Sequence, residues 1–223
     1  MRNRYIYFKS NWHTALRNRY FVVEFLISTV ILVFIMLIFS KFTIFVEMRK
    51  GIQVNDPVLE SFKAIDLTRL IFSMIYGGLL FALASLVSSP YRLMILFEAY
   101  ALMVLTRIVM MFILPLSPPI GMILLQDPFV EFFGTGKTLV NDLFFSGHTA
   151  TMFLLLLAVP KKLKWIFLII TILVAISVLI QKVHYTVDVL VAPYISFTCY
   201  HLILKFFYFR YKGESYDLEF KLF

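Results

Sequence analysis

Residues 164–181 read KWIFLIITILVAISVLIQ, and the only charge in this run is Lys164 at its start. Polar Lys182 follows the run, and Pro160 precedes it. A helix that crosses a bilayer needs about 20 predominantly apolar residues, with a range of about 17 to 25. The run therefore predicts a membrane-spanning helix, and the fold class follows from its repetition along the chain.

Five further apolar runs have a similar length, at approximately 20–40, 67–88, 93–114, 144–159 and 186–208. The sequence thus predicts an all-α polytopic membrane protein with six transmembrane helices. The run 144–159 is short and opens on four polar or small residues, Ser146, Gly147, His148 and Thr149. Its outer end is therefore expected in a protein-lined, wet cavity.

The composition supports a membrane protein. Of the 223 residues, 61% are hydrophobic and 15% are charged, whereas a soluble domain has about half apolar and about a quarter charged residues. The net charge of +8 comes from basic residues that flank the apolar runs, which argues against a nucleic-acid partner. A single cysteine, Cys199, excludes a disulfide framework.

Basic residues are unequally shared between the two sides of the predicted membrane. Alternating loops place 13 Lys and Arg on one side and seven on the other. Because cytoplasmic loops collect positive charge, both termini are expected to be cytoplasmic. The loops 41–66, 115–143 and 182–185 then face the periplasm, a lumen or the exterior.

Three regions follow from this topology. Residues 1–19 form a basic segment that is expected to lie in the membrane interface, residues 20–209 form a six-helix membrane catalytic domain, and residues 210–223 form a cytoplasmic polar tail.

Two polar clusters stand at the outer ends of predicted helices. In the first, Ser146 is a candidate N-cap, Gly147 allows close approach of a ligand, and the first-turn amides offer a phosphate site. In the second, His184 and Asp188 are four residues apart and share a helix face. A carboxylate there can hold one imidazole nitrogen and leave the other free for attack or proton transfer.

The predicted topology brings these clusters together. The fourth and sixth helices both begin on the outer side, so His148 and His184 are expected at similar depth. Arg107 lies about two turns before the third helix leaves the membrane near Leu114. Ionisable groups at this depth are costly and indicate a functional site.

The residues of both clusters closely resemble those of the sphingomyelin synthase family, within the type-2 phosphatidic acid phosphatase superfamily of six-span lipid enzymes. The similarity rests on Ser146-Gly147-His148-Thr149 with Asp142 four positions earlier, and on His184-Tyr185-Thr186-Val187-Asp188-Val189 with Tyr194. It covers about residues 55–205, with weaker support from Arg107, Leu114-Pro115 and Ser117-Pro118-Pro119.

This resemblance implies roles for individual residues. His184 would be the nucleophile, Asp188 would orient it, and His148 would be the acid and base for the two alcohols. Asp142 would tune His148 or bind the incoming hydroxyl, and Arg107 would hold phosphate oxygens beside the amides near Gly147. Ser146, Thr149 and Tyr185 complete the expected substrate-binding set. The implied partners are a phospholipid donor and a lipid-alcohol acceptor such as ceramide, with no metal or other cofactor.

Alternatives stay open at this point. Val178 stands where the phosphatase branch has an arginine, six residues before the second histidine, which favours a synthase. The same site with water as acceptor would be a lipid phosphatase or a phospholipase C-like hydrolase. Two imidazoles and a carboxylate could instead bind zinc, and a catalytically silent scaffold or transporter-like bundle is a further class.

Overall fold

The computed structural model describes residues 12–126 and 139–211, and helices dominate this part of the chain. The eight α-helices within these described residues are α1 (Trp12–Arg17), α2 (Arg19–Glu47), α3 (Pro57–Glu60), α4 (Thr68–Leu86), α5 (Pro90–Ile113), α6 (Gly147–Ala158), α7 (Lys164–Ile180) and α8 (Thr186–Tyr211). A 3₁₀ turn, Lys161–Leu163, joins α6 to α7.

Five of these helices, α2, α4, α5, α7 and α8, are long and apolar enough to cross a membrane. Five of the six predicted runs thus form helices that could span a membrane, with ends within three residues of the prediction except at the end of α2, which continues to Glu47. The predicted span 144–159 becomes α6, a helix of only 12 residues. At 1.5 Å per residue it is about 18 Å long, too short to cross a bilayer core of about 30 Å.

The short helix α6 lies at the centre of the bundle. Eight of its 12 residues are buried, and it packs against α4, α5, α7 and α8. The contact with α4 is close, because a Cβ on Gly78 would lie 2.6 Å from the terminal methyl of Met152. Val159 has extended backbone dihedrals before Pro160, so the proline ends the helix. Protein, rather than lipid, therefore surrounds α6.

Loop contacts show that successive helices run in opposite directions. The amide of Ile65, before α4, donates to the carbonyl of Ile180, at the end of α7 (3.2 Å). Arg49, just after α2, donates through Nη1 to the carbonyl of Phe112 near the end of α5 (3.0 Å). The connections after α2, α5 and α7 thus share one end of the bundle, which we call the loop face.

Two connections meet on the loop face in a short parallel bridge between Ile52 and Leu116. The Ile52 amide donates to Pro115 (2.9 Å), and the Ser117 amide donates to Ile52 (3.0 Å). Gly51 is required here, since a Cβ at this position would lie 2.2 Å from the Leu116 carbonyl carbon. The bridge joins the connection that follows α2 to the one that follows α5.

The opposite end of the bundle holds an ionic cluster between three helices. Arg210 on α8 forms ion pairs with Glu24 on α2 (2.5 Å) and Glu98 on α5 (2.7 Å). Ser28 donates to Glu98 (2.8 Å), and the Tyr211 hydroxyl bonds Glu24. Arg210 and Tyr211, which the sequence assigns to the tail, therefore lie on α8 and contact the bundle. Residues 212–223 lie outside the described part.

The predicted interfacial segment 1–19 is described only from Trp12 onward. Here α1 packs the Trp12 ring edge-on against Phe25, with ring centroids 5.5 Å apart. The Trp12 Nε1 donates to the carbonyl of Val87 after α4 (2.5 Å). The two described ends of the chain thus lie at the same end of the bundle, opposite the loop face.

We expect Arg210→Ala to lower stability, because Glu24 and Glu98 would lose their cation. A hydrogen bond to a charged group contributes about 1.5–3 kcal/mol, and Glu98 and Glu24 each keep one hydroxyl donor, from Ser28 and Tyr211 respectively. The thermal transition of the purified protein in detergent measures this loss. Lys205→Ala, at an exposed position of the same helix, is the matched control and should match the wild type. Equal transition temperatures for the two variants would contradict a stabilising role of the ionic cluster.

Candidate active site

Arg107 on α5 holds the loop that leads into α6. Its Nε donates to the Phe145 carbonyl (3.0 Å), and its Nη2 donates to the Asp142 carbonyl (3.2 Å). The same Nη2 is 3.0 Å from the Asp142 carboxylate, and the guanidinium carbon lies 5.6 Å from the Phe39 ring centroid. Arg107 is only 8% exposed, so its charge is neutralised and hydrogen-bonded inside the protein.

The start of α6 is capped by its own side chains. The Ser146 hydroxyl accepts from the Thr149 amide (3.4 Å) and donates to the Thr149 hydroxyl (3.1 Å). Both residues are buried. Ser146 is therefore the N-cap that the sequence predicts, and its hydroxyl and that of Thr149 are engaged with each other.

Gly147 faces Arg107. A Cβ at Gly147 would lie 2.2 Å from the Arg107 Nη1 and 2.7 Å from its guanidinium carbon. The sequence predicts that this glycine lets a ligand approach the backbone, and the structure places a guanidinium in that space. The first turn of α6 and a fixed cation thus meet at one point, which is favourable for a phosphate.

His184 and Asp188 form a buried pair at the start of α8. His184 lies in the connection between α7 and α8, and its Nδ1 is 3.6 Å from Asp188 Oδ2. The carboxylate also accepts from the Tyr185 amide (3.0 Å). Exposure is 1% for His184 and 0% for Asp188. Asp188 therefore faces Nδ1, and Nε2 is the nitrogen left for chemistry.

The two histidines face each other although 36 positions separate them in the sequence. Their ring centroids are 5.7 Å apart with the rings inclined at 61°. His148 also contacts the edge of Phe72 on α4, at 6.4 Å between centroids. The Ser146 amide donates to the Asp188 carbonyl (3.2 Å), which directly joins the two segments. The structure thus brings together His148, His184, Asp188, Arg107 and Asp142.

The Tyr185 side chain joins the start of α8 to the loop face. Its hydroxyl donates to the Ser117 carbonyl (2.8 Å) and accepts from the Val54 amide (3.3 Å). These partners belong to the connections after α5 and α2, so Tyr185 ties His184 to the loop face. Burial raises the pKa of the Tyr185 phenol above its ordinary value.

Two carboxylates at the site are absent from the sequence prediction. Glu47, at the end of α2, accepts from the amides of Val140 and Asn141 (both 2.7 Å) and so holds the loop that carries Asp142. Asp56 accepts from the amide of Thr186 (2.7 Å). Asp56 precedes Pro57, a residue pair typical of a helix start, and this signal predicts its capping of α3 but not its contact with α8.

The electrostatic setting keeps His184 neutral. Burial lowers the pKa of His184 from 6.5 to about 3, and the nearby Arg107 charge lowers it further, while Asp142 acts in the opposite direction. A neutral imidazole has a lone pair available for attack. Within residues 12–126 and 139–211, no three His, Cys, Asp or Glu side chains are grouped to hold a metal ion.

One family model matches part of the chain. The PAP2 superfamily C-terminal family matches residues 140–205, which contain Asp142, His148, His184 and Asp188. No curated protein matches the chain. The family match supports the phosphatase superfamily and an enzyme of the phosphoryl-transfer or hydrolase type. With the five long apolar helices, it also supports a multi-pass membrane protein.

Gly147→Ala should displace Arg107, because the new methyl group would overlap its guanidinium. A misplacement of about 1 Å in an active site can cost about 10²-fold in rate, and we expect a loss of that size in phosphoryl transfer. Gly77→Ala, on α4, is the matched control because a Cβ there meets nothing within 4 Å. Near-wild-type activity of the Gly147 variant would show that Arg107 does not need this space.

The low pKa of His184 predicts an acid-sensitive fold. The unfolded chain binds a proton on this residue near pH 6.5, whereas the folded protein binds it only near pH 3. The stabilisation is therefore complete above pH 6.5 and is lost as the pH falls toward 3. The midpoint temperature of thermal unfolding is measured in detergent at pH 7, 5.5 and 4. It should fall less steeply with decreasing pH for His184→Gln than for wild type. The same dependence of the midpoint temperature on pH in both proteins would contradict a buried neutral His184.

Proposed function

We propose that the protein is an integral-membrane lipid phosphotransferase that moves a phosphoryl-linked headgroup from a phospholipid to a lipid alcohol. The observation that carries this proposal is the pairing of buried His184 with His148, with Asp188 behind the His184 ring and the Arg107 guanidinium beside the start of α6. Two imidazoles and a fixed cation supply a nucleophile, a proton carrier and charge stabilisation.

The first half-reaction uses both histidines. His184 Nε2 attacks the phosphorus of the donor, and the bond between phosphorus and the diacylglycerol oxygen breaks. His148 donates a proton to that oxygen, so diacylglycerol leaves and the headgroup phosphate stays on His184. Asp188 stabilises the imidazole as positive charge develops on it, and Arg107 balances the phosphoryl oxygens.

The second half-reaction reverses these roles. His148, now neutral, removes the proton from the hydroxyl of a ceramide-like alcohol, whose oxygen attacks the phosphorus. The nitrogen–phosphorus bond breaks, and His184 returns to its neutral form. Asp142 acts as a positioning group, because its ion pair with Arg107 fixes the cation beside the first turn of α6.

Two features favour a lipid acceptor over water. Val178 stands where the phosphatase branch has an arginine, which suits the sphingomyelin synthase-like branch. His184, Asp188 and Arg107 are each at most 8% exposed, so bulk water has limited access to a phosphorylated His184. A hydrolase that uses the same residues is the second candidate, and the family match favours it equally.

The basic residues support a cytoplasmic location for both termini. Of the 13 Lys and Arg that the sequence assigns to one side, the eight that lie within residues 12–126 and 139–211 are at the end of the bundle that carries the described chain ends. An excess of basic residues is typical of the cytoplasmic side. In this orientation the loop face and the histidine pair open toward the periplasm, a lumen or the exterior. The donor lipid would then be taken from the outer leaflet.

The test is a lipid-exchange assay on purified protein in mixed micelles. Headgroup-labelled phosphatidylcholine or phosphatidylethanolamine is supplied with and without ceramide. We expect a new labelled lipid only when the alcohol is present, whereas labelled phosphoalcohol or free phosphate without it would identify a hydrolase. Neither product from any donor would contradict both candidates.

His184→Ala should abolish transfer, because the proposed phosphoryl intermediate forms on its Nε2. His201→Ala is the matched control, since His201 is also on α8 but bonds the carbonyl of Phe197 (2.9 Å) away from the pair. Acid-labile label on the wild-type protein, lost in the His184 variant, would identify the phosphohistidine. Activity that survives His184→Ala would exclude this mechanism.

A further inference from the structure

Asp56 lies on the loop face at the start of the short helix α3. Its Oδ1 accepts from the amides of Val58 (3.1 Å) and Leu59 (3.3 Å), which is the usual bonding of an N-cap aspartate. It is only 9% exposed. A carboxylate buried to this extent needs several donors, and α3 provides two of them.

The remaining donors come from α8, 130 positions later in the sequence. Asp56 Oδ2 accepts from the Thr186 amide (2.7 Å), and Oδ1 accepts from the Thr186 hydroxyl (3.1 Å). Burial alone would raise the pKa of Asp56, but the bonds from Thr186, Leu59 and Val58 outweigh it and hold the pKa below its ordinary value. Asp56 is therefore an anion that caps two helices at once.

Thr186 stands between the two members of the His184–Asp188 pair. In this first turn of α8, the Tyr185 amide donates to Asp188 Oδ2 (3.0 Å) and the Asp188 amide donates to the Tyr185 carbonyl (3.0 Å). The Thr186 amide is satisfied from outside, by Asp56. Without Asp56, the carboxylate available to the Thr186 amide on the same turn of α8 would be that of Asp188. The Asp188 carboxylate lies 3.6 Å from His184 Nδ1.

We propose that Asp56 is a positioning residue for phosphoryl transfer: by binding both donors of Thr186, it fixes the first turn of α8 and keeps the Asp188 carboxylate directed at His184. This inference rests on the proposed function for its catalytic consequence. It rests on the hydrogen bonds alone for its structural part.

The experiment compares Asp56→Asn, Thr186→Val and their double variant with Thr186→Ser, which keeps both donors. Asparagine has one acceptor oxygen where aspartate has two, and valine removes only the hydroxyl. Asp66→Asn is the matched control, because Asp66 accepts from the Thr68 amide (2.9 Å) at the start of α4 on the same loop face. All variants are assayed with whichever labelled phospholipid and ceramide mixture the wild type converts.

We expect kcat of Asp56→Asn to fall by about 10²-fold, as for a small misplacement of a catalytic group, with KM within about 2-fold of wild type. Thr186→Val should lower kcat in the same direction, and Thr186→Ser should restore it. The double variant should lose less than the product of the single losses, because both changes remove one interaction. Asp66→Asn should match the wild type.

Hydrogen exchange gives a readout that does not depend on the reaction. Peptides that include residues 185–188 should exchange faster in Asp56→Asn than in wild type or Asp66→Asn, with the remaining helices unchanged. General acceleration in Asp56→Asn would show global unfolding, and Thr186→Val, which leaves Asp56 in place, then carries the kinetic test.

Three results would overturn the proposal: kcat of Asp56→Asn within about 2-fold of wild type, a loss confined to KM, or single losses that multiply fully in the double variant. If the wild type converts no phospholipid, the proposed function fails instead. In that case hydrogen exchange decides the structural part, and equal exchange at residues 185–188 in wild type and Asp56→Asn overturns it.

Discussion

The arrangement at the centre of this protein depends on the hydrogen bonds and the ion pair of one buried arginine. Arg107 projects from a membrane-spanning helix, and an isolated guanidinium there would be costly unless every donor found a partner. The loop before α6 supplies two carbonyls and the Asp142 carboxylate, and Phe39 covers one face of the group. The requirement to neutralise one charge therefore fixes where α6 begins, and with it the position of His148.

Polar groups on the loop face likewise find partners in distant parts of the chain. Backbone amides near the membrane need acceptors, and carboxylates at the ends of other elements supply them: Glu47 for the loop before α6 and Asp56 for the start of α8. Tyr185 adds a hydroxyl that joins two connections. The histidine pair is thus held from outside by polar contacts and from inside by the packing of α6 against four helices.

Sequence reasoning recovers the parts of this arrangement that depend on local pattern. Hydropathy predicts the five long helices, and alternation of direction predicts that His148 and His184 share a depth, since both follow from runs of contiguous residues. Ser146 is also predictable, because capping is local. Glu47 and Asp56 are not, because their partners lie about 90 and 130 positions away. Likewise, hydropathy alone does not reveal that α6 is short and encased by protein, or that α8 continues through Arg210 into an ionic cluster.

The length of α6 also bears on how the chain enters the membrane. A 12-residue helix does not reach across the hydrocarbon core, so it lacks the length that lets a segment insert independently. The short turn Lys161–Leu163 links it directly to α7, which is long and strongly apolar. During biogenesis α6 is therefore expected to enter as one arm of a helical hairpin with α7, and to gain its final surroundings only when α8 has been synthesised. The active site would then be complete only after α6 and α7 have inserted, because Asp188 lies on α8.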